Sequence, residues 1–485
     1  MDKFDLKNLL LKPKTSSGSD GSAKKDELLK NILLGNKAAE NVGRPAESPV
    51  TSASLGFAPA APRPPAPPRS PSPNTSRRFL RLPLPAAKLV LPQKLPDCDV
   101  LPALPVAKVP HLVSGPGSFI AVDANYISYQ VRGNKVRLIN QMTGNMALIK
   151  DFVEEIQDIA LAPASIVDKP SSYLLQLHAN NFSLTLVSFH TDSQQWTFDD
   201  VLKISDHPFD FCRAKWASKN DMFAVSTDRT LFLSTVAMLQ GLSGLSGLDI
   251  TDLTNFFQIN LPDESAASIT DFSFSPDASV VAVCTDECEV YFYKTNDGTL
   301  LRSFEPNVFD ETVGIDSIML CGADPRNVQY VGPALLVLGF KGGNHIAIVN
   351  TLTFEMVYEI QFPSPFKSKR VRMDFDENLN VLVLGSEARS SLICLAVRTP
   401  VSFLGTNSDN QNSGLTFADL LGNRRSFDSF ESVDFDFYSE LPVSDGPVLS
   451  FVLLSTPDDS EPLSVYCVQQ TSIQQYILPS ETIKA

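Results

Sequence analysis

The 485-residue sequence predicts an all-β fold, a WD-type β-propeller of seven blades, behind a disordered Pro-rich N-terminal tail. Three observations predict it. The stretch Asp271–Phe304 reads as four short strands separated by turns. Similar units recur through the C-terminal part of the chain. And 17 of the 35 prolines fall within 43–110, where they work against both helix and sheet.

The tail comes first. Residues 1–42 are polar apart from two leucine islands, 5–12 and 26–35. Each begins with Asp, a good N-cap, and the second ends at Gly35, a good C-cap. Leu6, Leu9 and Leu10 share one helical face, as do Leu28, Leu29, Ile32 and Leu33. Helices this short are marginal alone, so each island is expected to fold in a partner's groove. Docking on the chain's own body, or a chance apolar run, would leave the same pattern. Residues 43–110 form a Pro-rich linker, with PRPPAPPRSPSP over Pro62–Pro73. Such a segment is extended and polyproline-II-like. From Arg81 to Pro110 Leu-Pro pairs recur, apolar enough to lie along a partner or along the body.

The body, 111–485, changes to strand patterning. In Asp271–Phe304 apolar residues alternate through Phe272 and Phe274, and the chain turns at Ser275-Pro276-Asp277. It then runs through Val280–Cys284 and Val290–Tyr293 and turns again at Asn296-Asp297-Gly298. Four such strands make one propeller blade. Further units begin near Tyr126, Ser172, Asp221, Leu335, Val371 and Val448. Six or eight blades would also satisfy these weak repeats, and Trp196 and Trp216 are not followed by Asp. Insertions near 240–262 and 399–434 are either binding loops or disorder. Phe119–Val122 is expected to close the ring by pairing with the C-terminal blade. Cys284 is expected to be buried, and Trp216 to sit in a blade core with its N–H satisfied.

Charge divides the chain the same way. Residues 1–110 carry 17 Lys+Arg and 9 Asp+Glu, net +8; 111–485 carry 23 and 46, net −23. An acidic body is a poor bulk binder of phosphate backbones. Lys367, Lys369, Arg370 and Arg372 form its one basic cluster, either a contact for RNA or an acidic peptide, or a solvated inter-blade loop. Seven scattered cysteines fit a reducing compartment. The N-terminus has no long apolar core, and no run of about 18 apolar residues occurs, so neither a secretory signal nor a membrane contact is expected.

Chemistry is not expected. No P-loop, nucleophile-elbow or zincin pattern is present. Cys284 and Cys288 on one strand would stand too far apart to share a metal, and the five histidines lack ligand spacing. Gly339–Gly343 lies between two strand patterns and reads as a hairpin. No cofactor and no metal site is expected.

Three stretches carry a resemblance. Asp123–Lys150, Arg213-Ala214-Lys215-Trp216, and the terminal Ser439–Phe451 with Val465–Leu478 are similar to the WD-repeat domain of the enhancer of mRNA-decapping protein 4 family, VARICOSE in plants. The order Tyr466, Gln469, Gln474, Gln475, Tyr476 is its most specific part. The resemblance implies a non-enzymatic scaffold of mRNA decapping in cytoplasmic processing bodies, with decapping-complex proteins as partners. The family's long C-terminal helical region has no counterpart before Ala485. The leucine islands instead resemble fungal motifs that bind an LSm-domain decapping scaffold. The Pro-rich tract resembles ligands of EVH1-type domains. The alternatives are a trafficking or coat-type propeller, or a propeller that binds RNA directly.

Overall fold

The computed structural model describes Leu80–Arg81, Ala87–Val90 and most of 101–479. The longer stretches outside the description are 1–79, 91–100, 110–116, 164–169, 240–249, 307–313, 322–334, 362–369, 399–415, 423–433, 456–461 and 480–485. Among the described residues no helix is long and apolar enough to cross a membrane.

Three N-terminal strands, β1 (Leu80–Arg81), β2 (Ala87–Val90) and β3 (Leu101–Lys108), precede seven antiparallel sheets. Blade 1 is β4 (Ile120–Val122), β5 (Tyr126–Val131), β6 (Lys135–Asn140) and β7 (Met146–Ile149). Blade 2 is β8 (Ile156–Leu161), β9 (Ser171–His178), β10 (Phe182–His190) and β11 (Gln195–Ile204). Blade 3 is β12 (Phe211–Trp216), β13 (Met222–Thr227), β14 (Thr230–Thr235) and, after the short helix α1 (Val236–Leu239), β15 (Phe257–Asn260). Blade 4 is β16 (Ile269–Phe274), β17 (Val280–Thr285), β18 (Val290–Lys294) and β19 (Leu300–Glu305). Blade 5 is β20 (Ile315–Cys321), β21 (Leu335–Phe340), β22 (His345–Asn350) and β23 (Met356–Gln361). Blade 6 is β24 (Val371–Asp376), β25 (Val381–Ser386), β26 (Ser391–Arg398) and, after the helix α2 (Phe417–Gly422), β27 (Asp434–Pro442). Blade 7 is β28 (Ser450–Leu454), β29 (Leu463–Val468) and β30 (Ser472–Leu478), completed by β3.

Each predicted unit falls on its own blade, and the count is seven. The strands are apolar on both faces because each sheet packs between two others. All six residues of β17 (Val-Val-Ala-Val-Cys-Thr) and all six of β21 (Leu-Leu-Val-Leu-Gly-Phe) are buried. Seven apolar clusters fill the seven interfaces between neighbouring blades. Between blades 4 and 5, for example, Phe292 and Phe304 pack against Phe340 and Phe354. Turn chemistry fixes the hairpins. Ser275 donates to Asp277 at 2.6 Å and its hydroxyl accepts the Val280 N–H, while Gly298 takes a φ of 64° that a side chain would resist. Gly339 pairs with Ile346 across β21 and β22, the hairpin its neighbourhood suggests.

The closing strand is not the expected one. Ile120–Val122 pairs with β5 inside blade 1, not with the C-terminal blade. The ring is closed by β3, which runs antiparallel to β30 from Leu101↔Ile477 to Lys108↔Ser472. The propeller therefore begins near 101, inside the stretch assigned to the linker. Pro102 and Pro105 lie in its two register irregularities, on the outermost strand of the sheet, where a missing N–H breaks no ladder. Leu104, Val106, Ala107 and Val109 are buried.

Two further expectations shift. The segment 240–262 contains β15, the outer strand of blade 3, and Ile250 and Phe256 are buried in the blade 2–blade 3 core. The segment 399–434 contains α2, which docks on blade 4, with Phe417, Ala418 and Leu421 buried in the blade 4–blade 5 cluster. The Phe417 N–H bonds to Asp277 Oδ2 at 2.8 Å, and Arg302 Nε donates to Leu421 O at 3.3 Å. Cys288 sits in the β17–β18 turn with a φ of 66°, not on a strand, but both it and Cys284 are buried as read.

The closure makes a test. Deleting residues 1–99 should leave the ring closed, whereas deleting 1–109 exposes the β30 edge and the blade 7–blade 1 core. Thermal melts of the two truncations should differ by several degrees, since burying Leu104 and Val106 alone is worth roughly 3–6 kcal/mol. Equal melts would place the closure elsewhere.

Candidate interaction site: the charged ring of the central channel

The first strand of every blade lines the central channel. Charged residues interrupt these strands at recurring places: Ile156-Gln157-Asp158, Phe211-Cys212-Arg213, Ile269-Thr270-Asp271 and Ile315-Asp316-Ser317. In all four the register shifts by one residue between the apolar position and the third residue. The bulge re-aims the side chains that follow it.

What they reach is the next blade. Asp158 Oδ1 accepts the Ser118 N–H of blade 1 at 2.6 Å, and Oδ2 accepts the Ala214 N–H of blade 3 at 3.0 Å. Arg213 bridges Asp158 Oδ2 at 3.2 Å and Asp271 Oδ1 at 3.0 Å, tying blade 3 to both neighbours. Lys215 joins Asp271 Oδ1 at 2.8 Å. Asp271 Oδ2 accepts the Ile318 N–H of blade 5 at 3.2 Å, and Ser273 Oγ accepts the Leu320 N–H at 3.0 Å. Asp374 Oδ2 accepts the Leu453 N–H of blade 7 at 2.8 Å. Ser450 Oγ accepts the Phe119 N–H at 3.2 Å and returns the pattern to blade 1. Arg372 donates to Gly117 O, from blade 6 to the segment entering blade 1. Gly117 allows close approach there, since a Cβ would meet Gln157 O at 2.1 Å.

Electrostatics follow from burial. Burial would raise Asp271, but the Lys215 and Arg213 charges overcome it and hold the carboxyl well below the usual range. Burial also opposes the Arg213 charge, yet Asp158 and Asp271 raise its pKa further. Asp316 is pushed up to about 7 by burial, against the pull of Arg370. Asp374 is pushed up to about 6 by burial, against its bonds to the Leu453 and Phe375 N–H groups. Four thiols are held protonated: burial raises Cys212 to about 11 and Cys288 to about 12, and lifts Cys284 and Cys467 higher still. Among the described residues no group of His, Cys, Asp and Glu could hold a metal ion.

The partner-binding residues read from sequence, Leu6, Leu9, Leu10, Leu28, Leu29, Ile32 and Leu33, lie outside the described residues. So do the Pro62–Pro73 tract and Lys367 and Lys369 of the basic cluster. The cluster's Arg372 is buried in the channel ring and not on a solvated loop, and the Arg370 charge acts on the Asp316 carboxyl. Trp216 is partly buried against the blade 2–blade 3 core, stacked with Tyr173, and its Nε1 donates to Ala160 O at 3.4 Å. The ring itself was missed by sequence reasoning. Its signal is a charge two residues after an apolar strand start in blades 2, 3 and 4, and one residue after it in blade 5.

No family model matches the chain, and no curated protein matches it. Among solved structures it is similar to the WD40 domain of Toxoplasma gondii coronin. The TM-score is 0.54 at 13% identity, covering 83% of this chain and 89% of that one. The fold is a seven-bladed WD40 propeller. A chain of a mitotic checkpoint complex structure is also similar, with a TM-score of 0.48 at 11% identity, covering 88% of this chain and 99% of that one. Likeness at these identities is likeness of fold.

Two measurements test the ring. Arg213→Ala would leave Asp158 and Asp271 buried beside an empty site and should cost about 3–5 kcal/mol in urea unfolding. Asp316→Asn concerns pH. A carboxyl whose folded pKa is raised to about 7 binds more protons folded than unfolded, so its contribution to stability declines as pH rises between about 4 and 7. The Asn variant should therefore gain on wild type across that window, by up to a few kcal/mol at about 1.4 per pKa unit. A pH-independent difference would show that Asp316 stays ionised.

Proposed function

We propose that the chain is a non-enzymatic interaction scaffold of mRNA decapping and decay, acting in processing bodies. The propeller serves as its rigid platform and the N-terminal leucine-rich motifs as its recruiting arm. The observation that carries this reading is the closing blade. The Gln/Tyr motif on which the family resemblance is most specific falls on one hairpin, β29–β30, and its polar groups interlock. Tyr476 donates to Gln474 Oε1 at 2.6 Å, Gln475 Nε2 to Ser464 Oγ at 3.0 Å and Gln469 Nε2 to Gly446 O at 3.1 Å. Tyr466 O–H reaches Gln141 Oε1 of blade 1 at 3.2 Å. A motif so constrained supports a blade architecture held in common with that family.

The channel supports a scaffold over a catalyst. Its charges join neighbouring blades, and burial holds the Cys212 thiol of its inner strand protonated. Direct RNA binding is the weaker reading, because Arg372 is committed to Gly117 O and the Arg370 charge acts on the Asp316 carboxyl. Recruitment is assigned to the leucine islands, whose partner is an LSm-domain decapping scaffold, with an EVH1-type domain at the Pro-rich tract. Each buried leucine anchor contributes roughly 1.5–3 kcal/mol before ordering costs, which supports micromolar affinity per island.

The test uses the full chain. Changing Leu28, Leu29, Ile32 and Leu33 together to Ala should weaken LSm-domain binding by titration calorimetry at least about tenfold. It should also leave the thermal melt unchanged and reduce accumulation in processing bodies. Wild-type affinity in the quadruple variant would remove the tail from this function.

A further inference from the structure

The outer rims of the blades differ in a way that the closure explains only in part. Blades 4 and 5 each carry a fifth strand from the N-terminal segment, β1 parallel to β19 and β2 parallel to β23. In each a cation stands in register with a glutamate, Arg81 opposite Glu305 and Lys88 opposite Glu359. The segment thus girdles the acidic body, passing from blade 4 to blade 5 and on to blade 7. It advances one blade in the five residues 82–86 and two blades in the ten residues 91–100.

Followed backwards from β1, the same pitch leads to blade 3 and then blade 2. Two blades require about ten residues, 70–79, whose extended reach is about 33 Å. The residues that arrive at blade 2 are then 69 and below, the Pro-rich tract. Blade 2 has an outer strand suited to receive it. β11 is ten residues long, against four for the outer strands β7 and β15 of its neighbours, and it is the last strand of its sheet. Phe198 is 40% exposed on it and stacks on Trp196 with centroids 6.1 Å apart and planes within 5°. Asp192 in the adjoining turn is exposed, and Asp199 is exposed on the opposite face of the strand. Aromatic side chains flanked by carboxylates form the surface on which proline-rich segments dock, the rings against the prolines and the acids against interspersed arginines. The tract supplies both, with prolines at PxxP spacing and Arg63 and Arg69 among them.

We propose that β11 of blade 2 is the docking strand for the chain's own Pro-rich tract, residues 62–69, seated on Trp196 and Phe198 with its arginines facing the exposed Asp192 of the adjoining turn. This continues the girdle already formed by β1, β2 and β3. It does not depend on the decapping reading. Its consequence is that the tract is covered in cis until a competing proline-binding partner displaces it.

The test uses a fluorescein-labelled peptide of residues 60–73 and two full-length chains. One is wild type; in the other all seven prolines of 62–73 are changed to Gly. By fluorescence anisotropy the peptide should bind the Gly variant with a Kd of tens of micromolar. It should bind wild type at least about tenfold more weakly, because the tethered tract competes at an effective concentration near millimolar. Phe198→Ser in the Gly variant should abolish binding; the residue is exposed, so its thermal melt should not change. Equal binding to both chains, no binding to the Gly variant, or binding indifferent to Phe198→Ser would overturn the proposal. A concentration-dependent dimer of wild type that the Gly variant lacks would assign the tract to a second copy and overturn the cis contact.

Discussion

The propeller depends on one arrangement, a carboxylate on the inner strand of one blade that holds the main chain of the next. Asp271 shows it most fully. One oxygen takes the charges of Arg213 and Lys215 from blade 3, and the other takes the Ile318 N–H of blade 5. Three blades meet in a single side chain. Apolar packing between sheets is strong but has little direction, and sheets packed only by apolar faces can slide and re-pitch. Charge-assisted hydrogen bonds have direction and fixed length, so they set the angle between neighbours. Because buried ion pairs return little net stability, their effect is on the geometry of the ring more than on its free energy.

Fixed pitch then constrains the rest of the chain. A ring of identical angles closes only if its last sheet is completed, and here the completing strand comes from the N-terminal side of the first blade. Closure by β3 obliges the preceding residues to leave along the outer rim, where β2 and β1 occupy the edges of blades 5 and 4. From the other direction α2, which lies between β26 and β27 of blade 6 in sequence, sits on blade 4. Among the described residues, strands and a helix from elsewhere in the chain bind blades 4, 5 and 7.

Much of this was legible in the sequence. The unit at Asp271–Phe304 shows its turns in Ser275-Pro276-Asp277 and Asn296-Asp297-Gly298, and central strands buried on both faces appear as unbroken apolar runs. The closing strand was not legible because Pro102 and Pro105 announce an unpaired segment, and only the tertiary fold reveals that the strand is outermost and needs no donor on its open side. Phe119–Val122 misled for the opposite reason: it is a good strand, but it already has a partner in β5. The ring's charges were hidden because an Asp or Arg inside an apolar strand usually marks its solvent face. Here the bulges turn those side chains toward the channel, and a bulge leaves no residue signature. The basic cluster illustrates the cost, since Arg372 looks in sequence like a solvated cation and in the fold donates to Gly117 O.

The distribution of charge gives these observations a common sense. Once the inner acids are matched by Arg213, Lys215, Arg370 and Arg372, most of the body's net −23 must lie on its outside. The net +8 of residues 1–110 is tethered beside it. Attraction between them needs no specific contact, acts over about a Debye length of 8–10 Å, and weakens with salt. It favours a tail that hugs the rim over one that projects freely, and β1 and β2 run along that rim with Arg81 and Lys88 in register with Glu305 and Glu359. A partner seeking the tail must therefore compete with the body for it. The leucine islands are the part of the tail least subject to that competition, because their anchors are apolar and gain nothing from an acidic surface. Under the proposed function, the basic and proline-rich residues would set where the tail rests, and the leucines would set what can lift it away.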